Sequence, residues 1–255
     1  MSAPVRVSLE REGQLARLVL DRPKANILDL EMMTALRKEL GALGGQKELK
    51  LLVFEGAGDH FCFGASVKEH LPAQAGEMLR GFHALFRELE ALSVPTAAVV
   101  RGQCLGGGFE LALFAGQVFC SPSARFGVPE VKLAVFPPIA ALLLPWRTGG
   151  ARATTLVLTG ASIEGPKAVE LGLAEACGED PEALLGAWFE AHLAECSALA
   201  LRYAWRAARR PIARALEEAL PALEKLYLEE LMAHHDPVEG ITAFVERRKP
   251  VWRNQ

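Results

Sequence analysis

The chain has few of the features that mark several common protein classes. Its five cysteines, Cys62, Cys104, Cys120, Cys177 and Cys196, are odd in number and form no Cys-x-x-Cys pair. That pattern argues against a disulfide framework and predicts free, buried thiols in a reducing cytoplasm. The stretch "MSAPVRVSLEREG" lacks the apolar segment of a secretion signal, and no apolar run approaches a membrane span. The expectation is a soluble cytoplasmic protein with no membrane partner. Positive charge is not in surplus: the net charge is −3 over 255 residues and the isoelectric point is near 6.1. A dedicated nucleic-acid binder is therefore disfavoured. The six histidines show no His-Glu-x-x-His spacing, so no metal site is expected, and the Gly-x-Ser-x-Gly nucleophile turn is missing as well.

What is present is a large apolar fraction, 51%, beside 23% charged residues, enough for a sizeable core. "VRVSLEREGQLARLVLDRP" alternates apolar and polar residues around a Glu-Gly turn and predicts a β-hairpin. Apolar runs ended by glycine, such as "LKLLVFEGAG" and "VPTAAVVRGQCLG", predict buried strands. Amphipathic stretches between them predict helices, and the alternation implies an α/β core with parallel strands over residues 1–181. From residue 182 to 255 only helical patterns occur. This section either packs on a neighbouring subunit or covers its own core. No fixed-period repeat is visible in the sequence.

Two glycine-rich turns carry the candidate chemistry. "GQCLGGGFELAL" (102–113) sets three glycines before an apolar helix, although each glycine costs a helix about 1 kcal/mol relative to alanine. The turn lacks the Lys-Ser/Thr of a nucleotide P-loop and the spacing of a dinucleotide motif. A backbone N–H at a helix N-terminus can instead stabilise a carbonyl that gains negative charge. Close helix–strand packing is the plain structural alternative. "GAGDHFCFGASVKEH" (56–70) also follows a strand and precedes a helix, and would supply a second donor. Lys68, just beyond it, is either a phosphate contact or a solvated lysine. Two acids, Glu110 and Glu130, stand isolated within apolar runs. Paired and buried, such acids hold water and exchange protons, because burial and mutual repulsion raise their proton affinity. The stretch "LRYAWRAARRPIARA", with Arg202, Arg206, Arg209, Arg210 and Arg214, reads as a solvated helix face rather than an RNA-binding one.

Six segments in order, "DRPKANILD", "GAGDHFCFGASVKE", "GQCLGGGFELAL", "FGVPEVKLAVFPP", "TGASIEGPKAVELGLAE" and "EGITAFVERRK", together resemble the crotonase (enoyl-CoA hydratase/isomerase) superfamily. The resemblance implies an α/β spiral of ββα turns, a helical C-terminal trimerisation region, and a homotrimer or dimer of trimers. It further implies an acyl-CoA thioester substrate, no metal, and no cofactor beyond the coenzyme A of the substrate. Residue by residue, it implies Ala65 and Gly107 as the oxyanion-hole N–H donors. Glu110 would orient and deprotonate water, and Glu130 would exchange the proton at the α-carbon. Lys24 and Ala25 would lie along the CoA chain. Ala65, Ser66, Val67 and Lys68 would hold the adenine and phosphates, and Phe244 would sit near the CoA.

Two departures bear on the substrate. Ser66 replaces the family's usual aspartate, and "PPIAA" (137–141) replaces its glycine-rich segment after the second glutamate. Pro137, Pro138 and Ile139 would therefore reshape the acyl pocket. "PKANILD" with "FPP" most resembles the branch of the family that hydrates a cyclic dienoyl thioester. The alternatives are a straight-chain or branched enoyl-CoA hydratase or dehydratase, such as one acting on 3-methylglutaconyl-CoA, and, further off, an RNA-associated relative.

Overall fold

The computed structural model describes residues 3–255. Strands β1 (Val5–Glu10) and β2 (Leu15–Leu20) pair antiparallel as the expected hairpin. After α1 (Leu30–Leu43) come β3 (Leu51–Gly56), α2 (Pro72–Leu92), β4 (Thr96–Val100), β5 (Gln103–Leu105) and α3 (Gly107–Phe114). Then follow β6 (Gln117–Cys120), β7 (Arg125–Gly127), α4 (Pro138–Thr148), α5 (Gly150–Thr159), β8 (Ile163–Glu164), α6 (Gly165–Glu170) and β9 (Ala176–Cys177). The helices α7 (Pro181–His192), α8 (Ala198–Ala208), α9 (Arg210–Arg214), α10 (Leu220–Lys225) and α11 (His235–Val245) complete the chain, with wide π turns at Ala215–Ala219 and Leu226–Glu230.

The strands form two layers. A six-stranded sheet runs β1-β2-β3-β4-β6-β9, parallel from β2 onward, and a small sheet runs β5-β7-β8. Single bridges, Leu28 to Ala65 and Cys62 to Cys104, extend the small layer back into the earlier turns. Each turn of chain thus contributes a strand to the large sheet, an extended segment to the small layer and a returning helix. This is the ββα spiral expected from the family resemblance. It repeats in backbone shape without repeating in sequence.

A parallel sheet needs cover on both faces. One face packs on α1, α2 and α3 in the main core, which includes Leu36, Phe54, Phe86, Phe109 and Phe126. The other face, with Leu15, Leu51, Val53, Val99 and Phe119, is covered by Leu185, Phe189 and Leu193 from α7 and the residue following it. Leu216, Leu220, Tyr227 and Ile241 from the C-terminal section are buried in the main core. That section therefore covers its own chain. No described helix is long and apolar enough to cross a membrane.

In β1, the edge strand of the large sheet, only Val5 is buried, and Val7 and Leu9 are exposed. Two expectations need correction. The thiols are free, but not all are buried: Cys196 is exposed and Cys177 half-buried. The arginine stretch is not simply a solvated face. Arg209 is buried, its guanidinium 4.3 Å from the ring centre of Phe114 and 4.5 Å from that of Trp205, with Nε donating to Glu90 at 3.0 Å. Arg202 donates to the carbonyls of Leu92 and Gln46. Two of the five arginines thus pin α8 and its C-terminal end to the core.

Candidate active site

The first glycine turn is held in shape from outside. Asn26, fully buried, donates through Nδ2 to the carbonyls of Ala57, His60 and Phe61 at 3.0 to 3.2 Å, and its Oδ1 accepts from Arg22 N–H. Ala25 accepts at its carbonyl from Phe63 N–H at 2.9 Å. The "PKAN" segment thereby fixes the path of residues 57–65. Leu28 N–H donates to Gly64, and Ser66 N–H donates back to Leu28. The Ala65 N–H lies between them and donates to no acceptor among the described residues.

The second turn approaches the first closely. A Cβ on Gly107 would sit 3.1 Å from the Ala65 nitrogen, and one on Gly64 would sit 3.5 Å from the Gly107 nitrogen. The Gly107 N–H opens α3 and likewise has no acceptor among the described residues. Gly106 has φ +49°, and a Cβ there would meet Glu130 Oε1 at 2.7 Å. Bare backbone at Gly106 is favoured both by conformation and by Glu130 against it, and at Gly107 the neighbouring turn approaches too closely for a side chain to sit without displacing it. The result is two free N–H groups pointing from neighbouring turns.

Both acids reach the same place. Glu110, 3% exposed, sits in the first turn of α3, and its Oε1 accepts from Ala140 N–H at 2.8 Å. Glu130 lies in a short 3₁₀ turn, Pro129–Leu133, with Oε2 buried and unpaired among the described residues. Burial raises the proton affinity of Glu110, opposed by the N–H groups of Ala140 and Ile139. Burial also raises that of Glu130, and the charge of Glu110 raises it further. The pair therefore titrates as a unit well above the ordinary carboxylate range.

Ala65, Gly106, Gly107, Glu110 and Glu130 line one cavity of about 80 Å³. Its remaining wall is apolar and aromatic, with Met78, Phe82, Phe136, Pro137 and Pro138, and it also includes His70 and Tyr227. Ile139 is buried outside the cavity; its backbone N–H faces Glu110. Val67 lines the cavity, whereas Ser66 lies beside it. Lys24 and Lys68 are exposed on the surface, and Ala25 is half-buried. Phe244 is 57% exposed on α11, which packs against the Val67–His70 turn.

Sequence reasoning missed Asn26, His70 and Tyr227. His70 hydrogen-bonds through Nδ1 with the Ser66 carbonyl at 2.8 Å. Tyr227 continues a stripe with Leu216 and Leu220 at helical spacing, which signals burial but not proximity to Glu110.

The sequence profile of the enoyl-CoA hydratase/isomerase family matches residues 10–255. The chain belongs to that family. It is 47% identical over its whole length to the cyclohexa-1,5-dienecarbonyl-CoA hydratase of Thauera aromatica, covering 98% of that protein. It is 31% identical to a probable enoyl-CoA hydratase of Mycobacterium bovis, over 96% of each chain. Among solved structures, an enoyl-CoA hydratase from Mycobacterium avium subsp. paratuberculosis K-10 superposes with a TM-score of 0.85 at 26% identity, covering 99% of both chains.

Proposed function

We propose that the protein is an acyl-CoA hydratase that adds water to a conjugated, cyclic dienoyl thioester. The observation that carries the reading is the convergence of two unpaired backbone N–H groups and two buried carboxyl groups on one cavity. The thioester carbonyl accepts from Ala65 and Gly107. As water oxygen bonds to the electron-poor end of the conjugated system, electron density moves onto the thioester oxygen, where these donors stabilise it. Each donor of this kind is worth roughly 3 kcal/mol in the transition state. Glu110 orients the water and takes its proton. Glu130 delivers a proton to carbon, so that H and OH are both added and the pair returns to its starting charge.

The cyclic substrate is supported by the flat walls of the cavity, Phe82, Phe136 and Tyr227, and by the rigid Pro137-Pro138 pair at its edge. The 47% identity to the Thauera aromatica hydratase supports the same choice. Lys24, Ser66 and Lys68 would contact the CoA portion, with Phe244 nearby. No cofactor or metal is assigned to the reaction beyond the coenzyme A of the substrate. A homotrimer or dimer of trimers in the cytoplasm completes the reading. Its support is the exposed apolar surface of the C-terminal section, including Leu199, Tyr203 and Phe244, together with the free thiols.

The test is a substrate panel followed by absorbance: cyclohexa-1,5-diene-1-carbonyl-CoA, crotonyl-CoA and 3-methylglutaconyl-CoA, with and without a chelator. The dienoyl thioester is expected to turn over fastest, with the chelator without effect. Faster turnover of crotonyl-CoA would replace the cyclic assignment, and turnover of none would end the hydratase reading. Light scattering after size exclusion measures the assembly.

A further inference from the structure

The cavity contains a hydroxyl with no hydrogen-bond partner among the described residues. Tyr227 is 1% exposed and lines the cavity with Glu110 and Glu130, yet its hydroxyl is buried and unbonded among the described residues. An unpaired buried hydroxyl costs stability, and phenylalanine would fill the same space without that cost. The ring is nevertheless held firmly. It packs edge-on against Phe136 with centres 5.3 Å apart. Glu224, three residues earlier, is anchored to α2 by His83 Nδ1 at 2.7 Å and Arg87 at 3.1 Å. The helix widens into a π turn at Leu226–Glu230, a distortion that recurs at functional sites. Burial and then the charges of Glu130 and Glu110 hold the phenol in its neutral form, able both to donate and to accept.

The thioester carbonyl already has two donors in Ala65 and Gly107. The polar atom left for Tyr227 is the water oxygen that Glu110 orients. We propose that the Tyr227 hydroxyl hydrogen-bonds the reacting oxygen, as water before addition and as the new hydroxyl of the product afterwards. This makes Tyr227 a residue by which the cavity distinguishes a hydroxylated acyl group from one without the hydroxyl. The inference rests on the acyl-CoA reading.

The experiment compares two thioesters that differ by one hydroxyl, 2-hydroxycyclohexane-1-carbonyl-CoA and cyclohexane-1-carbonyl-CoA. Their dissociation constants are measured by calorimetry for the full-length protein and for Tyr227→Phe. The substitution is expected to weaken the hydroxylated ligand by about 3- to 10-fold, the size of one neutral hydrogen bond, and the other by less than about 2-fold. Thermal unfolding without ligand should occur no lower than in the unaltered protein. Equal weakening of both ligands, or a lower melting temperature without selectivity, overturns the assignment of Tyr227 and leaves the acyl-CoA reading standing. Failure of the unaltered protein to bind either thioester overturns both.

Discussion

Glu110 Oε1 and the Ala140 backbone nitrogen lie 2.8 Å apart, so a carboxylate of the cavity also caps the N-terminus of α4. Pro138 opens that helix without an N–H to offer, and Ala140 supplies the donor. The same contact orients Glu110 and fixes the Pro137-Pro138 edge of the cavity relative to it. Glu110→Gln keeps an oxygen for the cap and loses the carboxylate proposed above as the base. Turnover is expected to fall about 10²- to 10⁴-fold with little loss of stability. Glu110→Ala removes the cap as well and should be less stable than Glu110→Gln by about 0.5–2 kcal/mol. Steady-state kinetics and denaturant titration of the two variants separate these effects.

Glu130 predicts a particular pH dependence of stability. Burial and Glu110 make its carboxyl bind a proton more tightly in the folded chain than at the ordinary value of 4.5. The native state therefore holds more protons than the unfolded state between pH 4.5 and about 8, and stability falls as pH rises through that window. Glu130→Gln removes this penalty. At pH 8 the variant should melt about 2–4 °C above the unaltered protein, corresponding to about 1 kcal/mol, and the difference should vanish near pH 4.5. A lower melting temperature at pH 8 would show that the buried carboxyl is stabilised by contacts that offset its burial. Turnover by this variant should be lost throughout.

Gly107→Ala inserts a methyl group 3.1 Å from the Ala65 nitrogen and 3.2 Å from Phe82 Cζ. The methyl would occupy the space a thioester oxygen needs between the two donors. A fall in kcat of about 10²- to 10³-fold is expected, the cost of losing one of the two proposed oxyanion donors. Circular dichroism should remain unchanged, since neither nitrogen is used to hold the fold.

Arg209 is a structural counterpart to these residues. It joins Phe114 at the end of α3, Trp205 of α8 and Glu90 of α2. Arg209→Met should cost about 2–4 kcal/mol, because it leaves Glu90 partly buried without its charge partner. Adding Glu90→Gln should recover part of that loss, and a double-mutant cycle in denaturant reads the coupling.

The parts of this protein visible in its sequence are those whose reasons are local. An isolated acid in an apolar helix and three glycines before it stand out within a dozen residues, so Glu110 and Gly107 are legible together. The alternation of apolar runs likewise reveals β3 and β4 as buried strands. The roles of Arg209 and Tyr227 are hidden because their neighbours are distant in the chain. Arg209 sits among exposed arginines and reads as one of them until Phe114 and Glu90 are placed beside it. Tyr227 lies in the acid-rich "LEKLYLEELM", where nothing local distinguishes a core tyrosine from one facing a cavity. The spiral is similarly concealed, since its turns share backbone geometry rather than side chains.

Composition, strand–helix order and the two glycine turns follow from the amino-acid sequence, because propensity and hydrophobic periodicity act over short spans. Tertiary structure decided the convergence of segments 63–67, 106–110, 129–138 and Tyr227 on one cavity. It also decided that two carboxyls share that cavity at raised proton affinity while one tyrosine hydroxyl remains unpaired beside them. Desolvation and charge proximity depend on distances through space, and those distances exist only once the spiral has closed and the C-terminal helices have packed over it.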